Sequence, residues 1–367
     1  MENRALYYGK LACDTMMRKY EASELPPKGG FHYHAGVFLS GMMNIYSRCG
    51  AEKYYEYVKA WVDSVIPEPG VINRFQLADL DGYMAGILLF PLYERTKDER
   101  YLAAIRLLMG NLRNWYKNAK GGFWHMAITR NQMWLDGLYM AGPTQAIYAR
   151  TFGQPHFAKE AARQAVIMYE NMQDQRTKLL YHAWDNSCVQ GWPEPAPWAN
   201  EKTGLSPEIW GRSVGWYVVA ILDILEQMDK SMPEYQKLVE IEKEVLSAVL
   251  TYRDTKKKVW YQIVDKGHLE DNWIESSCSC LFTYALAKAV RMGIFDSKVG
   301  ELAQESFDAV LKEFVTIEGE NLEIKKICVG TGVNDYAYYV NRPTSVNDLH
   351  GMGAFLLMCA EIARIQE

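Results

Sequence analysis

The stretch NQMWLDGLYMAGP, Asn131 to Pro143, sets one carboxylate, Asp136, between a Trp-Leu pair and a glycine, with apolar residues on either side. Burying a carboxylate without a partner costs roughly several kcal/mol, so its place needs a reason. From Gly137 onward the run is apolar almost all round. A helix of that kind has no solvent face and must be buried.

Five other segments repeat the pattern, each entered through a polar residue beside Gly or Ser. They are HAGVFLSGM from His34, LDGYMAGILL from Leu80, SVGWYVVAIL from Ser213, ESSCSCLFTYAL from Glu275 and LHGMGAFLLM from Leu349. Between them lie helices of a second type. EYQKLVEIEKEVLSAVLTY, from Glu234, puts Leu238, Ile241, Val245 and Val249 on one face and charges on the other. Similar amphipathic segments occupy residues 5–20, 51–66, 99–118, 156–173 and 298–315. Strict alternation of six buried and six covering helices predicts an all-α fold, a closed (α/α)6 toroid or six-hairpin barrel. Such a ring needs one core, so a single domain is expected over residues 1–367.

The totals limit the function. The chain has 367 residues, is 49% hydrophobic and carries a formal charge of -5. That balance, without Lys/Arg blocks, argues against nucleic acid as a partner. No run approaches the roughly 20 apolar residues of a membrane span. The amino-terminal segment is charged throughout and lacks the apolar core of a signal peptide, so a cytoplasmic protein without membrane partners is expected. The seven cysteines show no framework or zinc spacing and read as reduced thiols. Aromatics reach 13%, with 11 Trp and 24 Tyr; such rings fill helical cores and also stack on sugars.

Polar residues cluster where the buried helices begin: Tyr33 and His34, Asp81, Asp136, Arg212, and Asp348 with His350. His125 and His182 stand on segments that lead inward. If the six helices point one way, these groups converge on a pit walled by Trp134, Trp210 and Trp216. Helix N-termini would favour an anion there, which suits an acidic sugar. Taken singly, Asp81 and Asp136 also read as helix N-caps, and the histidines and tryptophans as core. Two aspartates in matching LDG settings, on neighbouring hairpins, instead suggest a carboxyl pair. In such a pair repulsion raises one pKa while the other group stays charged. Two excursions, one rich in Pro, Trp and Gly between Asp174 and Ser213 and a second over residues 316–346, are expected to roof the pit. The glycines of VGTGV in the second lack the lysine and preceding strand of a phosphate loop.

FWHMAITRNQMWLDGLYMAGP, SPEIWGRSVGWYVVAILDIL and RPTSVNDLHGMGAFLLMCAEI, with GGFHYHAGVF near the start, resemble the unsaturated rhamnogalacturonyl hydrolases of glycoside hydrolase family 105 over nearly the whole chain. The resemblance implies an (α/α)6 barrel active without metal or organic cofactor. It also implies the substrate: an oligosaccharide whose terminal uronic acid carries the C4=C5 double bond left by a pectin lyase, an unsaturated rhamnogalacturonan disaccharide first among them. The family hydrates that bond, and the resulting hemiketal opens and expels the next sugar. By the same resemblance Asp136 is the general acid and then base, and Asp81 raises its pKa. His182 and Arg212 match substrate-site residues, Trp134, Trp210 and Trp216 form stacking walls, and Tyr33 and His34 contribute from the first entry. After FWH this chain has Met126 where the pattern carries a lysine, which leaves the second sugar or aglycone open. Two other readings compete: a sugar epimerase on the same toroid, using His125, His182 and His350, and a non-catalytic sugar-binding protein.

Overall fold

The inner helices follow from the lack of any polar face, the outer ones from their amphipathic stripe. In the computed structural model, which describes residues 3–187 and 194–366, both sets form in strict alternation. The inner set runs Tyr33–Cys49, Leu80–Leu88 continued by Leu89–Thr96, Asp136–Phe152, Gly211–Gln227, Ser276–Arg291 and Leu349–Ile365. The outer set runs Arg4–Lys19, Glu52–Val65, Glu99–Arg113, Pro155–Met172, Pro233–Thr251 and Ser297–Phe314.

Each inner helix packs on the next, and the sixth packs back on the first, so the ring is closed. Closure requires backbone to meet backbone. A Cβ on Gly353 of the sixth helix would lie 2.5 Å from the Val37 carbonyl carbon of the first, so only glycine fits there.

Two local expectations change. The second inner helix opens as nine residues of tight 3₁₀ winding, Leu80–Leu88, before becoming α-helical. The third outer helix stops at Arg113, because the chain turns and residues near Lys117 pair with Phe123 in an isolated bridge. The second excursion is structured: a hairpin pairs Val315–Glu318 with Asn321–Ile324, and a short helix spans Tyr336–Val340. In the first excursion residues 188–193, Cys188 included, lie outside the described residues. The other six cysteines are free thiols. Among the described residues no helix is long and apolar enough to cross a membrane.

Candidate active site

A three-residue ribbon aligns the first pair of polar groups. Gln132–Trp134 runs antiparallel to Ala183–Asp185, with Trp134 opposite Ala183. One step further along, the Leu135 amide donates to the His182 carbonyl at 3.0 Å. Asp136 thus begins the third inner helix directly across from His182. His182 Nε2 lies 3.1 Å from Asp136 Oδ2, and Nδ1 lies 2.7 Å from the Tyr339 hydroxyl.

Neither aspartate is a cap. Leu135 is the residue before the third inner helix and makes no capping bond. At the second helix the cap is Asp79, whose carboxylate accepts from the Asp81 amide at 3.0 Å. Both LDG carboxylates are therefore left to face the cavity. Asp81 sits 3.6 Å from His125 Nε2, and the His125 ring stacks on Trp134 with centroids 4.5 Å apart.

The ionisation of the pair is the reverse of the sequence expectation. Burial raises the Asp81 pKa well above the carboxylate range, and the charges of Asp79 and Asp136 add to the effect. Burial would raise Asp136 too. The hydrogen bond and charge of His182, then His125 and Arg212, outweigh it and leave Asp136 below its ordinary value. The surroundings of the free site thus push the two carboxyls apart, Asp81 up and Asp136 down. Burial also lowers His125.

Arg212 enters from the fourth inner helix and is almost wholly buried. It finds no carboxylate partner among the described residues. Its guanidinium donates to the carbonyls of Cys328 and Val329, approaches His350 Nε2 at 2.8 Å, and lies 4.5 Å over the Trp210 ring. These contacts use Nη1 and one Nη2 hydrogen, and Arg212 also lines the pit.

Tyr33, Asp81, His125, Trp134, Asp136, Met140, Trp210, Arg212, Trp216, Gly330 and Thr331 line a cavity of about 220 Å³. Pockets for drug-sized ligands hold roughly 300–1,000 Å³, so this one suits a single sugar ring. Four polar residues singled out in the sequence, His34, His182, Asp348 and His350, are not on this wall. His182 and His350 are fully buried, in contact with Asp136 and Arg212 respectively, and do not line the cavity. His34 lines a neighbouring cavity of about 510 Å³ with Lys19, Tyr20, His32 and Asp348. Its pKa is pushed down to about 3 by burial and by His350. Met126 pairs its backbone with Asp79 and is absent from the wall.

The sequence reading missed Met140, Gly330, Thr331 and Tyr339. Gly330 and Thr331 belong to VGTGV, whose glycines were the available signal. Two sets of three ligand-type atoms lie within 4.8 Å of one another: His34, Asp348 and His350, and Asp79, Asp81 and His125. Those are the described residues with the donor chemistry for a cation. Carboxyls of split ionisation, a buried guanidinium and tryptophan walls can together bind an acidic sugar and move protons on it.

The comparisons bear on that chemistry. The pattern of Glycosyl Hydrolase Family 88 matches residues 8–366. A glycoside hydrolase from family 105 of Clostridium acetobutylicum superposes with a TM-score of 0.91 at 33% identity, over 97% of this chain and 99% of that one. The unsaturated rhamnogalacturonyl hydrolase YesR of Bacillus subtilis is 24% identical over 90% of this chain and 89% of its own length. The unsaturated glucuronyl hydrolase of Bacillus sp. GL1 shares the fold, with a TM-score of 0.70 at 15% identity over 97% of this chain and 94% of that one.

Proposed function

The chain belongs to Glycosyl Hydrolase Family 88, with family 105 structures as relatives, and on that premise we propose that it removes a terminal 4,5-unsaturated uronic acid from lyase-generated oligosaccharides by hydrating the C4=C5 bond. It is a glycosidase, so the epimerase and the non-catalytic readings fall away. The observation that carries the proposal is the Asp81/Asp136 pair, two carboxyls driven apart in pKa on the wall of a cavity sized for one ring.

The uronate carboxylate pairs with Arg212, and Trp134, Trp210 and Trp216 flank the ring. The positive charge of Arg212 is one of the influences that keep Asp136 ionised. An anion bound to Arg212 cancels that pull and excludes water, so Asp136 rises and accepts the proton held by Asp81. Asp136 then gives a proton to C4 while water adds at C5, and the water's proton returns to the pair. The hemiketal at C5 opens, and the C1 hemiacetal expels the next sugar. Net, one water is consumed and one double bond lost. This keeps Asp136 as the residue at the reacting carbons and makes Asp81 the store of its proton.

An unsaturated rhamnogalacturonan disaccharide heads the substrate classes, supported by the likeness to YesR, whose name carries that activity. The site belongs to one ring of hairpins, and we take the chain as one catalytic domain. A panel of lyase-generated disaccharides, ending in unsaturated galacturonate or glucuronate and followed through ultraviolet absorbance, tests the reading. Loss of absorbance with the rhamnose-linked member supports it; a flat signal with every member rejects it.

A further inference from the structure

A buried phenol stands behind the proton-handling pair, brought there by a part of the chain outside the ring. Tyr339 belongs to the short helix Tyr336–Val340 and is fully buried. Its hydroxyl lies 2.7 Å from His182 Nδ1, while His182 Nε2 faces Asp136 at 3.1 Å. We propose that Tyr339 is a positioning residue for the reaction: its hydroxyl fixes the His182 proton on Nε2, so that His182 always donates to Asp136. The inference rests on the reading above, in which Asp136 carries protons to and from the substrate.

The hydrogen-bonding inventory leaves little choice of direction. A neutral imidazole has one donor and one acceptor nitrogen, and an ionised carboxylate only accepts. Burial raises the Tyr339 pKa well above the phenol range, so its hydroxyl keeps a hydrogen to donate. With Tyr339 giving to Nδ1, the ring proton sits on Nε2 and points at Asp136. Among the described residues Tyr339 is the hydrogen-bond partner of Nδ1. The remaining charged or titratable groups around Asp136, namely Asp81, His125, Arg212 and Tyr33, lie on the cavity side. Trp134 and Trp210 bracket the imidazole with their rings.

The phenol is itself held in place. Gln262 is fully buried; its amide donates to the Tyr339 carbonyl at 3.1 Å and to Cys328 Sγ at 3.0 Å. Its oxygen accepts from Trp210 Nε1 at 3.1 Å. Trp273 Nε1 donates to the Val340 carbonyl at 3.0 Å and clamps the end of the helix. One amide thus joins the residue behind His182, a wall of the pit, and Cys328, whose carbonyl accepts from Arg212.

The test reads the tautomer directly. In the full-length protein labelled with ¹⁵N-histidine, His182 is assigned by the signals lost in His182→Gln. The wild type should show a protonated Nε2 and an unprotonated Nδ1. Tyr339→Phe keeps the ring and removes one hydroxyl. It should let the proton redistribute between the two nitrogens, lower kcat on the unsaturated disaccharide by roughly tenfold, and move the Asp136 limb of the pH profile upward with KM little changed. Gln262→Met, which keeps the hydroxyl but loosens its support, should move the same readouts the same way by less; it stands in if the first variant does not fold. An unchanged tautomer and unchanged pH profile in these variants would overturn the proposal, even if activity fell. If the wild type consumes no unsaturated uronide, the functional reading fails while the nitrogen signals still decide what Tyr339 does.

Discussion

Asp81 and Asp136 face one cavity from neighbouring inner helices, yet their surroundings drive their ionisation apart, Asp81 up and Asp136 down. With Asp81 read as the protonated member, as its raised pKa favours, Asp81→Asn leaves the charge of the free pit unchanged. Binding should therefore change little, while kcat falls by roughly a hundredfold or more. The sign for pH follows from the raised Asp81 pKa. Its proton is present below that pKa and is lost as pH rises through it, so wild-type turnover should decline on the alkaline side. The residual activity of Asp81→Asn should lack that limb. Michaelis curves across pH check both points.

Arg212 holds two carbonyls and an imidazole and also lines the cavity, where we propose that it meets the uronate. A lysine ammonium cannot reproduce that planar fork. Arg212→Lys should lower kcat/KM by roughly a hundredfold, with much of the loss in KM. The melting temperature should fall as well, because buried carbonyls of Cys328 and Val329 lose their donors. Loss of stability without loss of substrate affinity would mean that the arginine only ties the excursion to the ring.

Glu242 is fully buried on the fifth outer helix, and neither carboxyl oxygen has a hydrogen-bond partner among the described residues. Burial, reinforced by Asp223, raises its pKa well above the usual value. A raised acid holds its proton in the folded state, whereas the unfolded chain releases it above about pH 4.3. Stability is thus lost as pH climbs from there toward the folded pKa. Glu242→Gln should melt with the wild type near pH 4 and several degrees higher at pH 8. Thermal melts across that range measure the gap, and equal melting at every pH would contradict a buried neutral acid.

What could be read in the sequence was whatever repeats. Helices without a polar face alternate with amphipathic ones, and that contrast alone sets the ring and the entries at Tyr33, Asp81, Asp136 and Arg212. Contacts across the chain could not be read. Tyr339 meets His182 across 157 residues and Gln262 meets Tyr339 across 77; in sequence both resemble ordinary residues of an aromatic segment. The same blindness reversed the carboxyl pair. Which aspartate is lowered depends on the side of Asp136 that His182 occupies, and no spacing encodes that. Likewise, His182 on a segment leading inward and His350 at the start of a buried helix stood out as polar residues, but only packing separates a group facing the cavity from one supporting it.

The central claim is that Asp136 moves the proton that saturates a sugar double bond. Absorbance of the C4=C5 bond in a rhamnose-linked unsaturated disaccharide, followed with wild type and Asp136→Asn under identical conditions, measures it most directly. The wild type should bleach the signal. The folded Asn variant should be slower by roughly a thousandfold, with its circular dichroism unchanged. An Asp136→Asn enzyme that bleaches the substrate at the wild-type rate would contradict the account.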